Sequence, residues 1–130
     1  MNSFNVYGQA EKKVGGNTPV WLGTVKPIPV GATVQGGVGK DAYYPAGTAV
    51  VYNPATKSVE ILDNPSEASE RANGYIYNDI YNDGEAADAT VAVVMNHPEG
   101  LLVERVYDTI TEDQIVALQA KIPGVLLVRD

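Results

Sequence analysis

The stretch Thr48-Ala49-Val50-Val51-Tyr52-Asn53-Pro54-Ala55-Thr56-Lys57-Ser58-Val59-Glu60-Ile61-Leu62 decides how this chain is read. Residues 48–52 are β-branched and apolar and favour a pleated strand. Asn53-Pro54-Ala55-Thr56 is a turn, with proline fixing φ at the first corner. From Ser58 the residues alternate: Val59 and Ile61 point one way, Ser58 and Glu60 the other. Two such runs joined by a turn are a hairpin.

The reading extends outward from that hairpin. Asn64-Pro65-Ser66-Glu67 reads as one short helical turn, with Asn64 as cap and Pro65 at the first position. Residues 74–81 alternate again, with Tyr75, Tyr77 and Tyr81 on one side and Ile76 and Ile80 on the other. Asp83-Gly84 is a turn signal. Residues 89–95 read as a buried strand, separated by His97-Pro98-Glu99-Gly100 from the apolar stretch 101–106. Thr111 caps a helix, and Gln114 stands where a capping-box partner belongs. Ile115, Leu118 and Ile122 fall at i, i+3 and i+7, one face of about three turns. Pro123-Gly124 ends the helix, and residues 125–128 form a last strand.

Residues 1–40 differ. They hold Gly15-Gly16, Pro19, Pro27, Pro29, Gly31, Gly36-Gly37 and Gly39, with only short apolar pieces between them. Pro27 and Pro29 forbid a helix there. The expected organisation is an extended N-terminal arm over 1–40 and a β-rich domain over 41–130. The expected fold class is α+β: a small strand-rich barrel or sandwich with one C-terminal helix.

Composition narrows the function. A chain of 130 residues amounts to about one domain. Without cysteine there is no disulfide framework, thiolate metal site or cysteine nucleophile. His97 is the single histidine, so no site uses two imidazoles. The net charge of −7 argues against a general nucleic-acid binder. That charge is uneven. Residues 1–57 carry five lysines against Glu11 and Asp41, a net +3; residues 58–130 carry four basic and fourteen acidic groups, a net −10. The longest apolar runs, 91–95 and 125–128, fall far short of the roughly 20 residues of a membrane span. The first residues show no basic-then-apolar leader. Synthesis and use in a cytosol, or assembly into something there, is expected.

The chemical motifs are weak. Gly36-Gly37-Val38-Gly39-Lys40 has the look of a phosphate loop, but Val34 and Asp41 occupy positions that need glycine and a hydroxyl; it reads as a turn. Tyr77-Asn78-Asp79 and Tyr81-Asn82-Asp83, followed by Glu85 and Asp88, gather carboxylates as calcium would require. They lack the alternating ligand spacing of a calcium hand. His97 beside Pro98 and Glu99 has no serine or cysteine nucleophile motif to serve. We therefore expect no enzyme, no catalytic residue, no cofactor and no bound metal.

Trp21 and the eight tyrosines offer amphipathic contact area. Trp21 lies on a segment with no core of its own and needs a pocket, either on its own domain or on a partner; a buried aromatic anchor is typical of interfaces. Val6, Tyr7, Val20, Trp21 and Leu22 are the expected partner contacts. Tyr75 and Tyr77 are expected in the core or between subunits.

Pro45-Ala46-Gly47-Thr48-Ala49-Val50-Val51-Tyr52, its turn and Val59 resemble the opening of phage head decoration domains. Gly74-Tyr75-Ile76-Tyr77-Asn78-Asp79-Ile80 resembles their second motif, glycine followed by Asp-Ile. Residues 90–95, 111–122 and 124–128 follow in the same order. Over residues 43–130 the chain is similar to lambda-type decoration proteins and to phage head fiber proteins. The resemblance implies a homotrimer at threefold or quasi-threefold sites of the major capsid protein, an N-terminal arm on the shell, and no catalysis. It implies a place on the virion exterior after synthesis in the bacterial cytoplasm, with no nucleic acid and no membrane as partner. The alternative is a stand-alone module whose tyrosine-rich face recognises carbohydrate, such as a host surface glycan.

Overall fold

The computed structural model describes residues 20–28 and 31–129. The hairpin forms as the sequence requires. Strand β3 (Ala49–Asn53) pairs antiparallel with β4 (Ser58–Ile61), with Tyr52 opposite Val59. The turn is locked by Asn53, whose side-chain oxygen accepts from the Ala55 amide at 2.9 Å.

Around it lie β1 (Ala32–Val34), β5 (Gly74–Ile76), β7 (Thr90–Val91) and β8 (Val93–Val94). The strand order is β7-β1-β4-β3-β5-β8, with β1 and β4 parallel and the other pairs antiparallel. The two end strands are halves of one stretch of chain, interrupted only at Ala92. The sheet thus returns on itself as a nearly closed barrel. Residues 89–95 are expected as a single strand; instead they serve both ends of the sheet. At the break, the Ala92 carbonyl accepts from the Tyr77 amide at 2.9 Å.

The period-2 alternation sorts side chains into two cores. Val50, Tyr52, Val59, Ile76, Val91 and Val93 belong to one, with Ala32, Val34 and Val38. Ala49, Tyr75 and Val94, from the same strands, belong to the other, with Val20, Leu62, Leu101, Leu118 and Val125. The second core lies between the barrel wall and an outer layer of two helices and a short sheet. That sheet pairs β9 (His97–Leu102) in parallel with β10 (Val125–Val128). A separate ribbon joins β2 (Tyr43–Tyr44) to β6 (Ile80–Tyr81).

Helix α2 (Glu112–Lys121) follows the expectation closely. Thr111 and Gln114 form the capping box, and Ile115 and Leu118 are buried. Helix α1 (Pro65–Arg71) exceeds the single turn expected, so the outer layer holds two helices rather than one. Asn64 caps it by accepting from the Ser66 amide at 2.8 Å. Its buried face is Ala68 and Ser69, residues too small to give a periodic apolar signal. Strand β9 is also a correction, since His97-Pro98-Glu99-Gly100 are expected to break the chain. Val125 pairs with His97 and Leu127 with Leu101, so two steps along β10 span four along β9. The surplus is a bulge that takes up Pro98 and Glu99.

The outer edge of β10 is covered by one side chain. Gln119 of α2 accepts from the Leu127 amide at 2.8 Å and donates to the Val125 carbonyl at 2.8 Å. Its amide stands where a neighbouring strand would. Gln119→Ala is expected to cost about 1–2 kcal/mol in unpaired backbone groups and to bare a pairing edge. Urea unfolding and concentration-dependent light scattering, compared with wild type, check both effects.

Candidate functional site

The residues expected to contact a partner are placed on the domain itself. Residues 20–22 run antiparallel to β9. The Leu22 amide donates to the Gly100 carbonyl at 2.9 Å, and the Leu102 amide to the Val20 carbonyl at 2.7 Å. Trp21 bridges Leu101. Its indole N–H donates to the Tyr77 carbonyl at 3.0 Å. Its ring meets Tyr75 edge-on at 6.3 Å and His97 edge-on at 5.2 Å. Val20 is buried in the same core.

Of the two places left open for Trp21, the first is the one found: it is a half-buried residue of its own domain, where an aromatic ring and its N–H are both satisfied. The boundary after residue 40 is corrected, because β1 sits inside the barrel wall and residues 20–22 complete the outer sheet. Val6 and Tyr7 lie outside the described residues. Leu22, by contrast, keeps 37% of its surface exposed, and Leu126 keeps 48%.

Tyr75 is fully buried. It is a core residue with no surface for a second subunit, so the expected subunit contact there is withdrawn. Burial holds its phenol well above the usual tyrosine range. Tyr77 is half-buried against the same core, and its carbonyl holds Trp21.

The two motifs behind the family resemblance meet in space. The Ala46 amide donates to Asp79 Oδ1 at 2.7 Å. The Gly47 amide donates to the Ile76 carbonyl at 2.9 Å, and the Ile76 amide to the Thr48 carbonyl at 3.0 Å. Thr48 folds its hydroxyl back onto the Pro45 carbonyl at 2.6 Å. Gly47 has φ +88, and a Cβ there would stand 2.8 Å from Leu101 and 2.9 Å from Val106. The positive φ favours glycine, and any Cβ would push these two side-chain methyls aside. The two motifs are one interlocked corner of the barrel.

Beside this corner is an open depression of about 310 Å³ lined by Val20, Tyr43, Pro45, Asp79, Arg105, Val106 and Asp108. Burial, then the adjacent Asp79 carboxylate, pushes the Tyr43 phenol up to about 12. Tyr43 also meets Tyr81 edge-on at 6.4 Å across the β2–β6 ribbon. With Tyr75 and Tyr107 buried, this pair is what an exposed tyrosine face would draw on.

The acidic loop is organised by an amide rather than by its carboxylates. Asn82 donates to the carbonyls of Val38 and Glu85, each at 2.9 Å, and accepts from the Gly84 amide at 3.0 Å. Among the described residues, no group of three or more His, Asp or Glu side chains converges as a metal would require. The Gly36–Gly37 turn leads into the β2 ribbon, not into a helix whose N-terminus would hold phosphate. No helix among the described residues is long and apolar enough to cross a membrane.

Gln119 escapes sequence reasoning, because a polar residue on a helix reads as solvated. Asp79 and His97 stand out in the sequence, one by its place in the second motif and one as the single histidine, but their partners do not. No protein-family model matches the chain, and comparisons with curated proteins and with solved structures give no match.

Proposed function

We propose that this protein is a structural component of a phage virion. It binds the outside of the capsid as a homotrimer at threefold or quasi-threefold sites and reinforces the shell. The observation that supports this reading most is the corner just described. The two motifs that resemble decoration domains are far apart in sequence, yet Ala46 and Asp79 hydrogen-bond directly. The domain charge also fits an outward surface, since a strongly acidic body resists sticking to other virions.

The capsid-binding energy in this proposal comes from residues 1–19 together with the exposed Leu22, with the barrel as a rigid platform. Three copies around one axis turn modest contacts into a strong one when the spacing matches. Deletion of residues 1–19 is expected to leave a folded trimer with Trp21 in place. It should lose co-sedimentation with expanded heads of the cognate major capsid protein. Decoration at wild-type occupancy by the truncated protein would refute the arm mechanism.

A further inference from the structure

His97 is 2% exposed, yet both of its ring nitrogens face oxygen atoms that only accept. Nε2 meets the Leu22 carbonyl in a short contact. Nδ1 lies 3.4 Å from Glu99 Oε1. A neutral imidazole has one N–H and one lone pair, so it can satisfy only one of these partners. The Leu22 carbonyl is the closer partner, so the neutral ring keeps its N–H on Nε2 and leaves the Nδ1 lone pair facing the half-exposed Glu99 carboxylate. The imidazolium has two N–H groups and satisfies both, with an ion pair to Glu99 besides.

The position of the ring gives this mismatch a consequence. Leu22 belongs to residues 20–22, which reach β9 through the two backbone hydrogen bonds already described. His97 belongs to β9, and its own amide donates to the Gly124 carbonyl at 2.8 Å, fixing the strand beneath it. The imidazole therefore ties the incoming N-terminal segment to the outer sheet. On its other side it meets the edge of Trp21.

We propose that His97 is a pH-sensitive latch for the N-terminal segment. At acid pH the doubly donating imidazolium fastens residues 20–22 to β9. As pH rises and the Nδ1 proton leaves, the pair with Glu99 is lost and the bond to Leu22 is no longer charge-assisted, so the segment loosens.

The charged surroundings are few. His97 opens onto a depression of about 340 Å³ lined by Thr24, Lys26, Asn96, Pro98 and Glu99. Glu99, on β9 itself, favours the charged ring. Lys26, on the N-terminal segment, opposes it. The contacts recorded from β10 and from the core are backbone and aromatic or apolar groups. Lys26→Gln is therefore expected to extend the latched state to higher pH, and Glu99→Gln to restrict it to lower pH.

The latch has a built-in reporter, because the chain has one tryptophan and it touches the histidine. Tryptophan emission is followed from about pH 5 to pH 8, the interval in which imidazole changes charge. The latch predicts a single reversible step in wild type, displaced to lower pH in Glu99→Gln and absent in His97→Gln. Glu99 is half exposed, so its variant keeps the fold. The same samples give amide ¹H–¹⁵N spectra. The Leu22 and Leu102 signals are expected to move with the emission step, while core amides such as Val59 stay fixed. A flat wild-type emission curve overturns the proposal. So does an emission step that survives in His97→Gln, or one unaccompanied by Leu22 and Leu102.

Discussion

Tyr107→Phe is expected to destabilise the fold by about 2–4 kcal/mol, although it removes a single oxygen atom. The Tyr107 hydroxyl is buried between two backbone groups of the central hairpin. It accepts from the Ala49 amide at 2.8 Å and donates to the Leu62 carbonyl at 2.5 Å. The Leu62 amide already bonds the Ala49 carbonyl at 2.9 Å. The phenol completes the pair just past the last ladder contact, where the strands diverge. Burial keeps it well above the usual tyrosine range, with the Ala49 amide acting against that rise, so it stays a donor. Phenylalanine would leave a buried donor and a buried acceptor unpaired, each costing about 1–3 kcal/mol. For a domain of this size the loss corresponds to a Tm lower by roughly 10 °C. Calorimetry measures it; a change within about 2 °C, roughly half a kcal/mol, would contradict this role.

Trp21→Ala is expected to cost about 2–4 kcal/mol. Truncating a buried large aromatic costs about 3–5 kcal/mol, and Trp21 is only half buried. The loss includes its N–H bond to Tyr77 and its edge contacts with Tyr75 and His97. The variant also separates two ideas about this residue. As part of its own domain, Trp21 should weaken unfolding resistance at every protein concentration. As an anchor for another chain it would leave the isolated domain's urea midpoint unchanged and reduce binding alone. Urea titrations at two concentrations distinguish them.

The parts of this fold that the sequence makes legible are those with local signals. Helix α2 carries its capping box, its apolar face and its Pro-Gly stop within fourteen consecutive residues, 111–124. The central hairpin carries alternation and an Asn-Pro turn. What stays hidden depends on distant residues or small ones. Helix α1 buries alanine and serine, which weigh little in any periodic pattern. The interruption at Ala92 has no Gly or Pro to mark it, and only closure of the sheet explains it. Residues 20–22 look like a coreless arm because their partner, β9, lies some 80 residues away.

The candidate site divides in the same way. The motif pair 45–48 and 74–80 is visible in the sequence, but its hydrogen bonds are not. Trp21 stands out by its chemistry and its setting, and its destination depends on Tyr75, Tyr77 and His97 from two separate stretches. Of the two places expected for Tyr75, the core is the one found; alternation shows which residues share a face and not which face is covered. Here the outer layer covers Tyr75.

The central claim is a trimeric decoration protein, and its most direct test is the mass of the protein in solution. Static light scattering across a tenfold concentration range should give three times the chain mass of 13.8 kDa. A constant mass of one chain throughout that range would contradict the account.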